Sequence, residues 1–214
     1  MAEITQLLSA FPGFAVQYDP SKNPYFRVIM EENLRKLKQV SAGKSLLSSI
    51  QAATPAFRGS FPRGVNVMCV PTHLHFTQSG YNLEIEYAQD YSQKLTGMTP
   101  SNLAKHAPQG CPFWISGGSH NSALDQKSAT NATGSVCHMR FTNVQVVTRR
   151  GEKAEPYVVL AHELIHSLHC LQGIKMDGRD EELWTTGLGK YENNPMSENV
   201  FRAQFGLAKR QRYF

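Results

Sequence analysis

"PYVVLAHELIHSLHCLQG", residues 156–173, decides how the chain is read. It opens with a proline, which the first turn of a helix accepts because the missing N–H would have no partner there, and it closes at a glycine, the residue that most easily ends a helix in the left-handed conformation. The spacing predicts a single helix of about four turns. On it, His162 and His166 lie four residues apart, so both imidazoles leave one face on successive turns and can share a metal ion. Glu163, beside the first of them, stands where a carboxylate can take a proton from an attacking water. Val158, Val159, Leu160, Leu164, Ile165 and Leu168 supply the apolar surface that a buried active-site helix needs. His169 extends the row, but seven residues raise a helix by about 10 Å, too far for His162 and His169 to hold one ion at about 2 Å each. His169 is expected to pack or to support a ligand.

The pattern His162-Glu163-x-x-His166 is the HExxH signature of zinc metalloproteases. Two imidazoles leave a tetrahedral catalytic zinc short of one protein ligand. A metzincin would supply a histidine six residues after His166, where this chain has Gln172. The best remaining donors are Glu181 and Glu182 in "RDEELWTTG" (179–187), a predicted short helix that the turn "GIKMDGRD" can fold back onto the first. Neighbouring glutamates on a helix diverge by about 100°, so one can bind metal while the other orients a histidine. Residue chemistry alone leaves open which does which. Trp184 is expected to anchor this helix in the core. "SENVFRAQFG" (197–206) predicts a further short helix.

"AHELIHSLHCLQGI" followed by "EELWTTG" resembles the light-chain protease of the clostridial neurotoxins, in which the second glutamate of an EELxT stretch completes the zinc site. By that resemblance the third ligand is Glu182, with Glu181 behind it. The longer run "EELWTTGLGKYENNPMSENVFRAQFGLAKRQRY" is similar to the NleD-like zinc metalloprotease effectors that Gram-negative pathogens inject by type III secretion, with their GLG turn, SENxxRxxxGL stretch and terminal RxxY. The resemblance spans residues 157–213 and implies one zinc ion per chain. It also implies that Arg210 and Tyr213 stabilise an oxyanion, and that Glu198 is a supporting carboxylate holding the arginine or a histidine. The implied life history is a protein secreted by a bacterium without a Sec signal, aided by a secretion chaperone. It would act in the host cell cytoplasm on signalling proteins, with mitogen-activated protein kinases as the model substrate class.

Upstream of residue 150 the reading rests on pattern alone. Residues 1–22 lack clear periodicity and suggest a flexible leader that could serve as a secretion signal, ahead of a single domain over 23–214. "NPYFRVIMEENLRKLKQV" predicts a helix with Asn23 as cap and Pro24 in its first turn, and "GKSLLSSIQAA" a second. "GVNVMCV" (64–70), "HLHFTQ" (73–78), "YNLEIEYAQ" (81–89) and "CHMRFTNVQVVT" (137–148) read as strands, the first three as a small antiparallel sheet, with loops rich in Gly, Ser and Asn between. His73 and His75 share a strand face without a third donor and read as packing or solvent residues. The expected fold is α+β, a compact zincin-like metalloprotease with N-terminal helices, a small antiparallel sheet and C-terminal active-site helices.

Composition bounds the alternatives. At 214 residues with 41% hydrophobic and 18% charged residues the chain is long enough for one sizeable core, and no apolar run reaches the length of a membrane span. Four isolated cysteines suggest reduced thiols rather than a disulfide framework. A formal charge of +5 is too modest to argue for nucleic acid as a partner. The chain is expected to act as a monomer. The competing readings are a non-catalytic interaction protein with a structural zinc, which would need a fourth protein ligand, and a metalloprotease toxin domain delivered by another route.

Overall fold

The computed structural model describes residues 2–72, 74–78, 81–85, 114–116, 119–143, 146–147 and 153–212. In chain order these form β1 (Ile4–Leu7), β2 (Phe14–Tyr18), α1 (Phe26–Leu37), α2 (Ser41–Ala52), β3 (Val67–Pro71), β4 (Leu74–Gln78), β5 (Tyr81–Ile85), β6 (Trp114–Ser116) and β7 (His120–Ala123). There follow α3 (Gln126–Thr130), β8 (Cys137–Phe141), β9 (Val146–Val147), β10 (Lys153–Ala154), α4 (Pro156–Gln172), α5 (Gly178–Thr186), a 3-10 turn (Gly189–Tyr191) and α6 (Glu198–Gln204). Tyr213, His73 and Cys111 fall outside the described residues, as does most of the Gly- and Ser-rich stretch between β5 and β7.

A five-stranded mixed sheet runs in the order β1-β2-β3-β8-β7. β2, β3 and β8 are parallel to one another, while β1 and β7 pair antiparallel at the two edges. Parallel neighbours need a crossover, and α1 and α2 form the one between β2 and β3. Side chains alternate across the sheet as the pleat requires. Phe14, Val16, Tyr18, Val67, Cys69, Cys137, Met139 and Phe141 face the main core with the helices, whereas Ala15 and Met68 pack on the other face with Val65 and Phe61.

Two expectations are corrected here. Residues 4–18 are not a loose leader: β1 and β2 belong to the sheet, and Phe14, Ala15 and Val16 are buried. A strand covered on both faces, as β2 is, shows no polar alternation, so its sequence carries no strand-like period. Nor do the strands of 64–89 form one antiparallel sheet. β3 joins the parallel centre, and only β4 and β5, with β6, make a separate antiparallel sheet. Further, α1 begins after Tyr25 rather than at Asn23, and no side chain caps it.

α4 is the hub. Thirteen of its seventeen residues are buried, including Leu160, Leu164, Ile165 and Leu168 in the main core with Leu34, Leu37 and Leu46 of the N-terminal helices. A helix buried on nearly every side carries little amphipathic pattern and is fixed by packing. Its end is set by a close backbone crossing. Gly173 caps it at φ 70°, and a Cβ there would lie 2.7 Å from Ala132 Cα; opposite, a Cβ on Gly134 (φ 79°) would lie 2.1 Å from the Leu171 carbonyl oxygen. Only glycine fits both the conformation and the space. The crossing is laced by Ala132 N–H to Gly173 O (2.8 Å) and Ser135 N–H to Cys170 O (2.9 Å). On the sheet side, Asn121 of β7 donates to Ser167 Oγ (2.8 Å) and accepts from the Cys170 thiol (3.2 Å). Cys69, Cys137 and Cys170 are free thiols.

Candidate metal centre

α4 presents His162, Glu163 and His166, each less than a tenth exposed. α5 is stopped by Gly187 in the left-handed conformation (φ 78°) and brings Glu182 back against them. Three atoms converge. His162 Nε2 lies 3.1 Å from His166 Nε2, and Glu182 Oε2 lies 3.2 Å from the first and 3.4 Å from the second. A tetrahedral zinc with bonds of about 2.0–2.2 Å sets its ligand atoms about 3.3–3.5 Å apart, so the donor set fits zinc in both chemistry and spacing.

The far nitrogen of each imidazole is held by a buried carboxylate. His162 Nδ1 lies 3.0 Å from Glu198 Oε2, and His166 Nδ1 lies 2.7 Å from Glu181 Oε1. A carboxylate can only accept, so both Nδ1 atoms carry the proton and both Nε2 atoms are the ones free to meet a metal. Glu181 is only 2% exposed, and its Oε1 also accepts from His169 Nδ1 (2.8 Å) while its Oε2 accepts from Met176 N–H (3.0 Å). The geometry thus separates the adjacent glutamates: Glu182 faces the converging nitrogens and Glu181 faces the backs of two histidines. His169 sits away from the three donors and stacks on Trp184, ring centroids 3.8 Å apart. Trp184, half-buried, docks α5 through that stack rather than by filling the core. His166, His169 and Glu181 also converge. Their contacts have hydrogen-bond lengths and share one carboxylate oxygen, as a support for His166 would.

Glu198 is 2% exposed and joins three groups. Besides His162 it accepts from Arg202 Nε (2.6 Å) and from Arg210 Nη1 (3.0 Å). It therefore holds both the histidine and the arginine. Arg210 stands behind His162, two hydrogen bonds away through one carboxylate oxygen.

Electrostatics follow from this packing. Burial alone would depress the His162 imidazole, but hydrogen bonds to Glu182 and Glu198 and the charges of Glu198 and Glu163 overturn that and hold it up at about 10 in the metal-free chain. His166 is likewise shifted up against burial by Glu181 and Glu182. The supporting carboxylates move the other way. Burial opposes it, yet Glu181 and Glu198 are each held down at about 2, by His166 and His169 and by His162 with the two arginines respectively. Glu163 differs: burial raises its carboxyl above the usual carboxylate range, only partly countered by the two histidines. A carboxylate shifted toward neutrality is a better proton carrier than an ordinary one.

Thr185, Asn199 and Arg202 have parts that sequence reasoning missed. Thr185 Oγ lies 3.2 Å from His166 Nδ1, one helical turn past Glu181, a spacing that could have pointed to it.

No family model matches the chain, and no curated protein matches it. Among solved structures it is similar to a mutant LHn fragment of botulinum neurotoxin type D, with a TM-score of 0.56 and 12% identity over 94% of this chain and 40% of that one. The light chains of botulinum neurotoxin types D and G also match, with TM-scores of 0.49 and 0.45 and 15% identity in each case. They cover 91% of this chain and 57% and 55% of theirs, so the chain spans little more than half the length of these light chains. The likeness to the LHn fragment covers nearly the whole of this chain and bears out an α+β fold shared with part of that fragment.

Proposed function

We propose that this chain is a zinc-dependent endopeptidase. The observation that carries the reading is the convergence of His162 Nε2, His166 Nε2 and Glu182 Oε2 to within 3.4 Å of one another, with Glu163 next to the first in sequence. Zinc held by these three residues would supply Lewis acidity, making an attacking water more acidic and a scissile carbonyl more electrophilic. Glu163 takes a proton from the water and returns it to the leaving amine. The Arg210 guanidinium, steadied by Glu198, stabilises the developing oxyanion, and Tyr213 adds a phenol, both by the RxxY resemblance. Glu181 and Glu198 keep the two imidazoles in the tautomer that coordinates.

The finer assignment follows the C-terminal resemblance. The chain is an NleD-like effector, secreted by a bacterium through the type III route with a chaperone, and acting in the host cytoplasm on signalling proteins of the mitogen-activated protein kinase class. No helix among the described residues is long and apolar enough to cross a membrane. To test the reading, wild type and Glu163→Gln are incubated with a host-cell lysate and new peptide termini are mapped by mass spectrometry. Termini that depend on Glu163 and vanish with a chelator are expected. Identical termini with both proteins, while each holds one zinc, would refute the protease and point to a structural site.

A further inference from the structure

Arg210 lies in a stretch with no helix or strand, residues 207–212, most of which is exposed. A guanidinium on such a segment is expected to fray unless its backbone is fixed. The fixing comes from one face of α6. Asn199, 5% exposed, donates from Nδ2 to the carbonyl of Arg210 (3.0 Å) and accepts at Oδ1 from the N–H of the same residue (2.7 Å). One side chain thus satisfies both backbone groups of Arg210. The other Nδ2 hydrogen goes to the carbonyl of Gly187 (3.2 Å), the residue that ends the helix carrying Glu182. These partners dictate the amide orientation, since the oxygen must face the N–H and the nitrogen the two carbonyls. Beside it Arg202 accepts Leu207 N–H at its carbonyl (2.8 Å) and donates to Ala208 O (3.2 Å), gripping the same segment.

We propose that Asn199 is a positioning residue. By clamping the backbone of Arg210 to the end of α5 it fixes how far the guanidinium stands from the Glu182 ligand. The inference deepens the protease reading and rests on it for its kinetic consequence. The clamp itself does not. Asn199 touches none of the three converging atoms, and its removal leaves Glu198, His162 and Glu182 in place. What it changes is the fraction of time Arg210 spends where Glu198 and an oxyanion can both be reached.

The test combines two measurements on the full chain, made with Asn199→Ala, Asn199→Asp, Arg210→Ala and the double variant Asn199→Ala/Arg210→Ala. Hydrogen exchange of the Arg210 amide needs no substrate. Exchange is expected to quicken roughly three- to tenfold in Asn199→Ala, the weight of one backbone hydrogen bond, with the amides of α4 unchanged. An Arg210 amide that exchanges equally fast in wild type and Asn199→Ala overturns the clamp whatever the chain's activity. The second measurement uses a quenched fluorogenic peptide spanning a cleavage site mapped as above. A kcat lowered roughly three- to tenfold is expected, with KM within about twofold and no further loss from Asn199→Ala in the Arg210→Ala background. Loss that multiplies with that of Arg210→Ala would show that Asn199 acts elsewhere. Should Asn199→Ala fail to fold, the isosteric Asn199→Asp decides. It still accepts the Arg210 N–H but sets a carboxylate against two carbonyls, so it should show the kcat loss without faster exchange at that amide. Wild-type kcat in that variant would overturn the proposal.

Discussion

Replacing Glu198 with glutamine removes one charge and no bulk, and its cost can be worked out from three contacts. Oε1 receives the Arg202 guanidinium, while Oε2 receives both His162 Nδ1 and Arg210 Nη1. A glutamine has one oxygen. If its amide group faces Arg202, two donors meet at a position where the residue is only 2% exposed. If it faces His162, the imidazole must turn acceptor at Nδ1, which moves its proton to Nε2 and blocks the atom that meets metal. Each hydrogen bond to a charged group contributes about 1.5–3 kcal/mol against about 0.5–1.5 for a neutral one, so three weakened contacts cost roughly 3 kcal/mol. For a chain of this length that lowers Tm by about 6–12 °C. Zinc affinity should fall about 10–100-fold, as for other groups behind a metal ligand. Differential scanning calorimetry of the metal-free and zinc-loaded forms, with chelator competition for affinity, measures both. A Tm within about 2 °C of wild type together with unchanged zinc affinity would refute the role given to Glu198.

Three other outcomes are expected. Because His162 is held at about 10 and His166 is also shifted up in the metal-free chain, zinc should displace protons at pH 7, and calorimetric titration in buffers of different ionisation enthalpy should count at least about one proton per ion; none released would contradict the charge assignment. By the same linkage the His162 contribution to stability is full below its ordinary value of 6.5 and disappears as pH rises through about 10, so the metal-free chain should melt progressively lower over that alkaline window, and a flat profile would count against the pairing. Gly134→Ala should destabilise by about 2–4 kcal/mol in chemical denaturation, from the left-handed backbone and the Cβ clash with the Leu171 carbonyl, and a neutral result would deny the crossing that ends α4.

The sequence was most legible where local chemistry writes the boundary. Pro156 and Gly173 delimit α4, Gly187 stops α5, and Ser197 precedes α6, so the predicted spans agree with the structure to within one or two residues. The i, i+4 histidines were readable because helix geometry alone puts them on one face. Glu181 and Glu182 could not be told apart from residue chemistry, since their separation depends on how α5 docks, through Trp184 on His169 and Met176 on Glu181. The sheet was harder. β2 pairs with β3 some fifty residues away and shows no alternation, so its role is a product of long-range packing. Asn199 stands in the SENxxRxxxGL stretch, yet its part was hidden for a different reason: its partners are backbone groups of irregular chain, which no periodicity announces.

The central claim is that His162, His166 and Glu182 together hold one zinc ion. X-ray absorption at the zinc edge of the purified chain, after counting metal by mass spectrometry, tests it most directly. One zinc per chain is expected, with a first shell of nitrogen and oxygen at about 2.0–2.1 Å, the multiple scattering of two imidazoles, and loss of zinc in Glu182→Ala. A shell with sulfur at about 2.3 Å, or full zinc occupancy retained in Glu182→Ala with an unchanged first shell, would contradict it.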